Sequence, residues 1–164
     1  MVLMLSLIYL LNVAGGYGVD FYGAKILKKA YAGASVTQIG WLSAIPALVA
    51  LPVMWLWGRN SDRLRENRWH VAIPVWLFTL GLVILSMDVP RHLILAGMTL
   101  CVIGRWCAIG PFWGLPTAFL AGTAAAGGIA MINSIGNLGG FVGPKIMGEL
   151  VKGEGEYSFG LRIL

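Results

Sequence analysis

The sequence predicts an all-α membrane protein built from five transmembrane helices. Two observations carry that expectation. The 164 residues are 58% hydrophobic and only 12% charged, with a mean hydropathy of +0.79, whereas a soluble domain is about a quarter charged. The charges also collect at the edges of long apolar runs. The densest cluster is WGRNSDRLRENRWH (57–70), which holds four arginines, Asp62 and Glu66. A crossing helix needs roughly 20 apolar residues, and the runs between these edges supply that length five times.

The first span runs from Met1 to about Leu27. It is uncharged as far as Val19 and ends among Lys25, Lys28 and Lys29. It has no basic region before it and no A-x-A site after it, so it is expected to be a span rather than a cleaved signal. The second span, 36–58, opens on SVTQ (35–38), a capping box with Ser35 as N-cap and Gln38 at the third helical position. The arginine-rich loop, 59–70, leads into a third span over 71–87. Asp88-Val89-Pro90 forms a turn, with Pro90 suited to open the next helix. Leu93 to Gly104 is too short to cross alone, and Trp106 to Pro144 is uncharged and too long for one helix. The economical division is a fourth span over 93–120 with Arg105 inside it, then a fifth over 124–151. Orientation by positive charge is nearly a tie. Arg59, Arg63, Arg65 and Arg68 mark one side; Lys25, Lys28, Lys29, Arg91 and Lys152 mark the other.

The net charge of +5 and pI near 9.5 do not indicate a nucleic-acid partner. The basic residues flank apolar runs instead of forming a patch. Cys101 and Cys107 lie in an apolar stretch and are expected to be free packing thiols. No metalloprotease, nucleophile-elbow or phosphate-loop motif occurs. The expectation is therefore no enzyme, no metal and no cofactor.

Polar residues inside spans carry the functional signal, because a side-chain amide or cation in hydrocarbon needs a partner. Asn133 and Asn137 are four apart and share a face of the fifth span. Either they bond a neighbouring helix or they line a wet cavity. Trp106, Gly110, Trp113 and Thr117 form one stripe on the fourth span, where Pro111 and Pro116 loosen the backbone; the stripe is either core packing or a binding wall. Arg105 is the most costly residue, at about 2.5–3.5 kcal/mol for a mid-helix arginine. It either favours an anionic ligand or snorkels to an interface. Asp20 reads as the marker of a helix end in preference to a partner for Arg105. Asn12, Gly15, Gly16 and Tyr17 form a cluster that weakens the first helix, where a break would expose backbone to substrate. Gly136, Gly139, Gly140 and Gly143 read as a close-packing surface.

GRNSDR (58–63) resembles the signature loop of the major facilitator superfamily, G-x-x-x-D-R/K, in its copy between the eighth and ninth helices. FWGLPTAFLAGTAAAGGIAMINSIGNLGGFVGP (112–144) is similar to helices ten and eleven of the anion:cation symporter branch, which includes tartrate, phthalate, hexuronate and hydroxyphenylacetate permeases. GWLSAIP (40–46) and RWHVAIP (68–74) resemble that branch too. The resemblance implies that the five spans are helices seven to eleven, most of the C-terminal six-helix half, with the N-terminal half and the last helix absent. It places the arginine loop in the cytoplasm and the Lys25–Lys29 edge in the periplasm. Gly58, Arg59, Asp62 and Arg63 would form a cytoplasmic gate, with Gly58 allowing close helix approach. Arg65 stands where the family usually has glycine, and Arg105 is unusual for the branch. Trp113, Thr117, Asn133 and Asn137 fall where helices ten and eleven face substrate.

The expected function is secondary active transport of a small organic anion with protons, by alternating access, in the cytoplasmic membrane. Substrate contacts are expected from Trp113, Thr117, Asn133, Asn137, Trp106, Arg105, Asn12 and Tyr17. The expected partners are the lipid bilayer and the missing N-terminal half. The alternatives are a truncated, non-transporting remnant and a small membrane scaffold.

Overall fold

The computed structural model describes residues 1–154, with side chains through Glu149; Lys152 as a marker of sidedness lies outside the described side chains. Among the described residues six helices follow one another: α1 (Val2–Ala30), α2 (Val36–Leu64), α3 (Arg68–Leu85), α4 (Arg91–Thr117), α5 (Gly122–Asn137) and α6 (Gly139–Glu154). Among the described residues there is no strand. Helices α1 to α4 are each long and apolar enough to cross a membrane, and Gly122–Glu149 makes a fifth such segment across the α5–α6 junction. The chain is thus an all-helical, multi-pass membrane protein.

The local chemistry explains several boundaries. The capping box at the start of α2 is formed: the Gln38 amide donates to Ser35 Oγ at 3.2 Å, and the Ser35 amide donates to Gln38 Oε1 at 2.8 Å. The hydroxyls of Ser6, Ser43, Thr79 and Thr99 each donate to the carbonyl four residues earlier, at 2.8–3.0 Å. These groups therefore need no water inside the bilayer. Pro46, Pro52, Pro74, Pro111, Pro116 and Pro144 all lie within helices that continue past them.

Two boundaries differ from expectation. Helix α2 runs on to Leu64 and α3 begins at Arg68, so GRNSDR is helical and the true connection is three residues long. The expected break in α1 does not occur: Asn12, Gly15, Gly16 and Tyr17 sit in unbroken helix. In lipid a run of backbone groups released from the helix finds no water, which favours a glycine-rich stretch staying helical. The interruption falls at Leu138 instead, between α5 and α6.

Helices α3 and α4 make the most extensive pairing, and α1 packs on α4, α5 and α6. Two apolar clusters fill the bundle. One gathers Val19, Leu27, Phe78, Leu82, Met98 and Met147 toward the Lys25–Arg91 end. The other gathers Leu5, Val71, Phe112 and Ile132 toward the arginine-rich end. The polar site lies between them.

Candidate functional site

Arg105 is the only buried one of the described Lys, Arg, Asp and Glu side chains, at 8% exposure. It is the fifteenth residue of the 27 in α4, roughly 21 Å along the helix at 1.5 Å per residue. It does not snorkel. Its Nη1 donates to Asp20 Oδ2 of α1, closing an ion pair across 85 residues of sequence. Asp20 is therefore a counter-ion and not merely the marker of a helix end, which corrects the sequence reading. The physical reason is that a cation at this depth is costly unless neutralised. The guanidinium carbon also lies 5.1 Å from the Tyr17 ring centre and 5.4 Å from the Trp106 ring centre. Both contacts suit a desolvated cation over an aromatic face. Gly16 completes the seat, since any side chain there would collide with the Arg105 guanidinium.

Asn12, Gly16 and Asp20 recur at helical spacing on α1, and Cys101, Arg105 and Phe112 do so on α4; each set shares one side of its helix. Asn12 lines an apolar crevice with Tyr9, Val75, Ile109 and Phe112. Tyr9 stacks on Phe112 at 5.3 Å, meets Trp113 edge-on at 5.1 Å, and occupies the space a side chain at Gly136 would need. Through Tyr9, Trp113 is joined to the helix that carries the two asparagines. Asn137 Nδ2 donates to both the carbonyl and Oδ1 of Asn133, each at 2.9 Å, so the two amides form one unit on an exposed face of α5. Thr117 is exposed at the end of α4 and donates to the Gly114 carbonyl at 3.0 Å. Of the expected site residues, the structure brings Arg105, Trp106 and Tyr17 into one cluster. It links Trp113 to α5 through Tyr9, and leaves Thr117 apart at the helix end.

The signature segment stands at the other end of α2. Arg59 lies over the Trp55 ring at 5.4 Å. Arg59, Asp62 and Arg63 are exposed, and Asp62 makes no ion pair among the described residues. A methyl group on Gly58 would meet nothing within 4 Å among the described residues. Beneath them the connection is held tightly. Trp57 Nε1 donates to the His70 carbonyl at 2.9 Å, while Asn60 and Glu66 bracket the His70 ring, each at 3.0 Å. Partial desolvation pushes the Glu66 carboxyl upward. Hydrogen bonds from the Trp69 amide, the His70 ring and the Arg68 and His70 amides outweigh that, and hold it below its ordinary value. Sequence reading missed His70, Asn60 and Glu66; the spacing of Glu66 and His70 at i, i+4 was the available signal.

Arg65 caps α2 in the left-handed conformation, φ 51° and ψ 37°. A side chain there costs about 1 kcal/mol relative to glycine. Arg65→Gly is therefore expected to stabilise the protein by about 1 kcal/mol, read as a shift in its unfolding midpoint in detergent.

A buried, paired arginine within a five-span bundle defines a multi-pass membrane protein with a polar site at bilayer depth. Comparison with known proteins narrows this class. The chain is 41% identical over 160 residues to a putative tartrate transporter of Agrobacterium vitis, covering 98% of this chain and 36% of that protein. It is 36% identical over 169 residues to a quinolone resistance transporter of Acinetobacter baumannii, covering 99% of this chain and 37% of that protein. It is also 35% identical over 146 residues to the inner membrane transport protein RhmT of Escherichia coli, covering 85% of this chain and 32% of that protein. The chain belongs to the major facilitator superfamily. It spans about a third of the length of the curated relatives it matches. No family profile matches it, and no solved structure does.

Proposed function

We propose that this chain is part of a secondary active transporter of the cytoplasmic membrane that moves a small organic anion by alternating access, with protons as the coupling ion. The observation that carries this reading is Arg105, a cation at mid-depth that lies against two aromatic rings and is paired with the half-exposed Asp20. A carboxylate matches the fork of donors that an arginine offers. The relatives named as tartrate transporters agree with that chemistry.

The exposed faces support a larger assembly. Asn133, Asn137, Thr117 and Trp106 are all exposed, and amides facing lipid are costly. Further helices of the transporter, the half that the sequence resemblance calls N-terminal, would cover this stripe and enclose a passage against it. The flank of Gly58, open among the described residues, and Asp62, without an ion pair among them, suit the same partner at the cytoplasmic end, where Arg59 and Arg63 reach across and Asp62 accepts from donors on the other half.

The test is tartrate uptake by cells producing the transporter that contains this chain. Trp113→Ala and Asn137→Ala are expected to reduce uptake at least about tenfold, the effect of losing roughly 1.4 kcal/mol of binding. Asp62→Asn is expected to slow transport while membrane insertion stays normal. Undiminished uptake in both alanine variants would remove these two residues from the site. A normal rate in Asp62→Asn would remove the gate.

A further inference from the structure

The Lys25–Arg91 end of the bundle carries charge that neither the fold nor the transport reading uses. Lys25, Lys28, Lys29 and Arg91 gather there, as many cations as Arg59, Arg63, Arg65 and Arg68 supply at the opposite end. Positive charge beside spans favours one side of a membrane, so it accounts for one of these sets and leaves the other without a role. The same end holds a cavity of about 490 Å³ between the α1–α2 turn and the start of α4, lined by Tyr31, Gly33, Gln38, Trp41, Leu42 and Arg91 among others. We propose that this cavity binds the phosphate of an anionic phospholipid such as phosphatidylglycerol, with Arg91 as its anchor. The proposal does not depend on which solute the bundle carries.

The chemistry of the lining suits an anion. Arg91 is exposed and makes no ion pair among the described residues. Its guanidinium carbon lies 5.5 Å from the Tyr31 ring centre. A ring contact steadies the side chain without using its N–H donors, and those donors match the paired oxygens of a phosphate. Gln38 gives its Oε1 to the Ser35 amide, which fixes the side chain and leaves its amide nitrogen as the end a ligand can use. No aspartate or glutamate lines the cavity. Asp88, three residues before Arg91, is exposed and makes no ion pair among the described residues.

Depth selects a lipid over a soluble phosphate. Arg91 is the first residue of α4 and Tyr31 closes α1, so both stand where helices leave the hydrocarbon. Trp41 is the sixth residue of α2, roughly 9 Å along the helix from Ser35 at 1.5 Å per residue. That distance takes the lining from the headgroup layer to the top of the acyl chains. Trp41 is 70% exposed and Val36 83%, and an indole favours this boundary, where one part of it meets hydrocarbon and its N–H meets water. A cavity that begins at a guanidinium and ends at an indole and Leu42 fits a molecule with a phosphate at one end and hydrocarbon at the other. A soluble phosphate leaves the apolar part unfilled.

The test measures ligand retained by the purified chain in neutral detergent at about 0.15 M salt, where exposed charges more than roughly 8 Å apart are screened. Native mass spectrometry counts bound phosphatidylglycerol, phosphatidylcholine and glycerol phosphate. Wild type is expected to hold one phosphatidylglycerol about fivefold more tightly than phosphatidylcholine, the effect of one cation beside an anionic lipid, and to bind glycerol phosphate far more weakly. Arg91→Gln is expected to lose the preference. Lys25→Gln removes a cation of the same end that is held over Tyr22, beside Gly148 of α6, and is expected to keep the affinity within about twofold. Equal losses in the two variants would overturn the site, because general attraction to a basic end would then explain the binding. Glycerol phosphate held as tightly as phosphatidylglycerol would make a soluble phosphate the ligand and overturn the lipid assignment. No preference for phosphatidylglycerol in wild type would overturn the proposal by itself, however the variants fold.

Discussion

Asp20→Asn is expected to destabilise the protein by about 3 kcal/mol, the cost of an unneutralised arginine at mid-helix depth. Arg105→Gln is expected to cost less, because the aspartate it orphans is half exposed and can be hydrated or protonated where it stands. The double variant is expected to recover most of the loss, since neither charge remains to be compensated. Unfolding in mixed micelles, followed by far-ultraviolet circular dichroism, reads all three values. The quantity of interest is the coupling between the two changes, expected at about 2–3 kcal/mol for a paired charge of this burial. Additive losses would mean that Arg105 draws its stability from Tyr17 and Trp106 and that Asp20 is a bystander.

This pair also shows where sequence reading stops. The spans were legible because hydropathy and flanking charge are local properties: α1 to α4 end within six residues of the expected limits. The cap on α2 was legible because Ser35 and Gln38 satisfy each other within one turn. Arg105 stood out by its cost. Its partner did not, because the two are 85 positions apart and only packing decides which face of α1 meets α4. One clue was present. Of the seven acidic residues, Asp20 is the only one lying inside the first four spans away from their ends, so a cation needing neutralisation had few candidates. The site of helix interruption was illegible for a related reason. Gly15, Gly16 and Gly18 look as disruptive as Gly139 and Gly140, and Gly139 is buried against α1 as they are buried in the bundle, yet the first group remains helical and the chain breaks beside the second.

Glycines in α4 offer the sharpest contrast between those two levels. A methyl group at Gly104 would meet the Pro74 carbonyl and lie 2.9 Å from Phe78 Cα. These are backbone atoms of α3, in the most extensive helix pairing of the bundle, and they have no rotamer to change. At Gly110, two turns on, a methyl group would meet nothing within 4 Å. Replacing either glycine by alanine removes the same backbone freedom and favours the helix by about 1 kcal/mol. Gly110→Ala is therefore expected to be neutral or slightly stabilising. Gly104→Ala is expected to destabilise by about 2–3 kcal/mol net, since α3 and α4 must separate and forfeit contacts along their length. Gly104→Leu should go further and unseat the adjacent Arg105, so that tartrate uptake falls together with stability. Gly110→Leu should leave the fold intact, and any effect on uptake would then report the exposed side of α4 that carries Trp106 and Thr117. Equal stabilities for Gly104→Ala and Gly110→Ala would show that the α3–α4 approach is looser than the structure has it. The seat of Arg105 would then have to be rebuilt on some other contact.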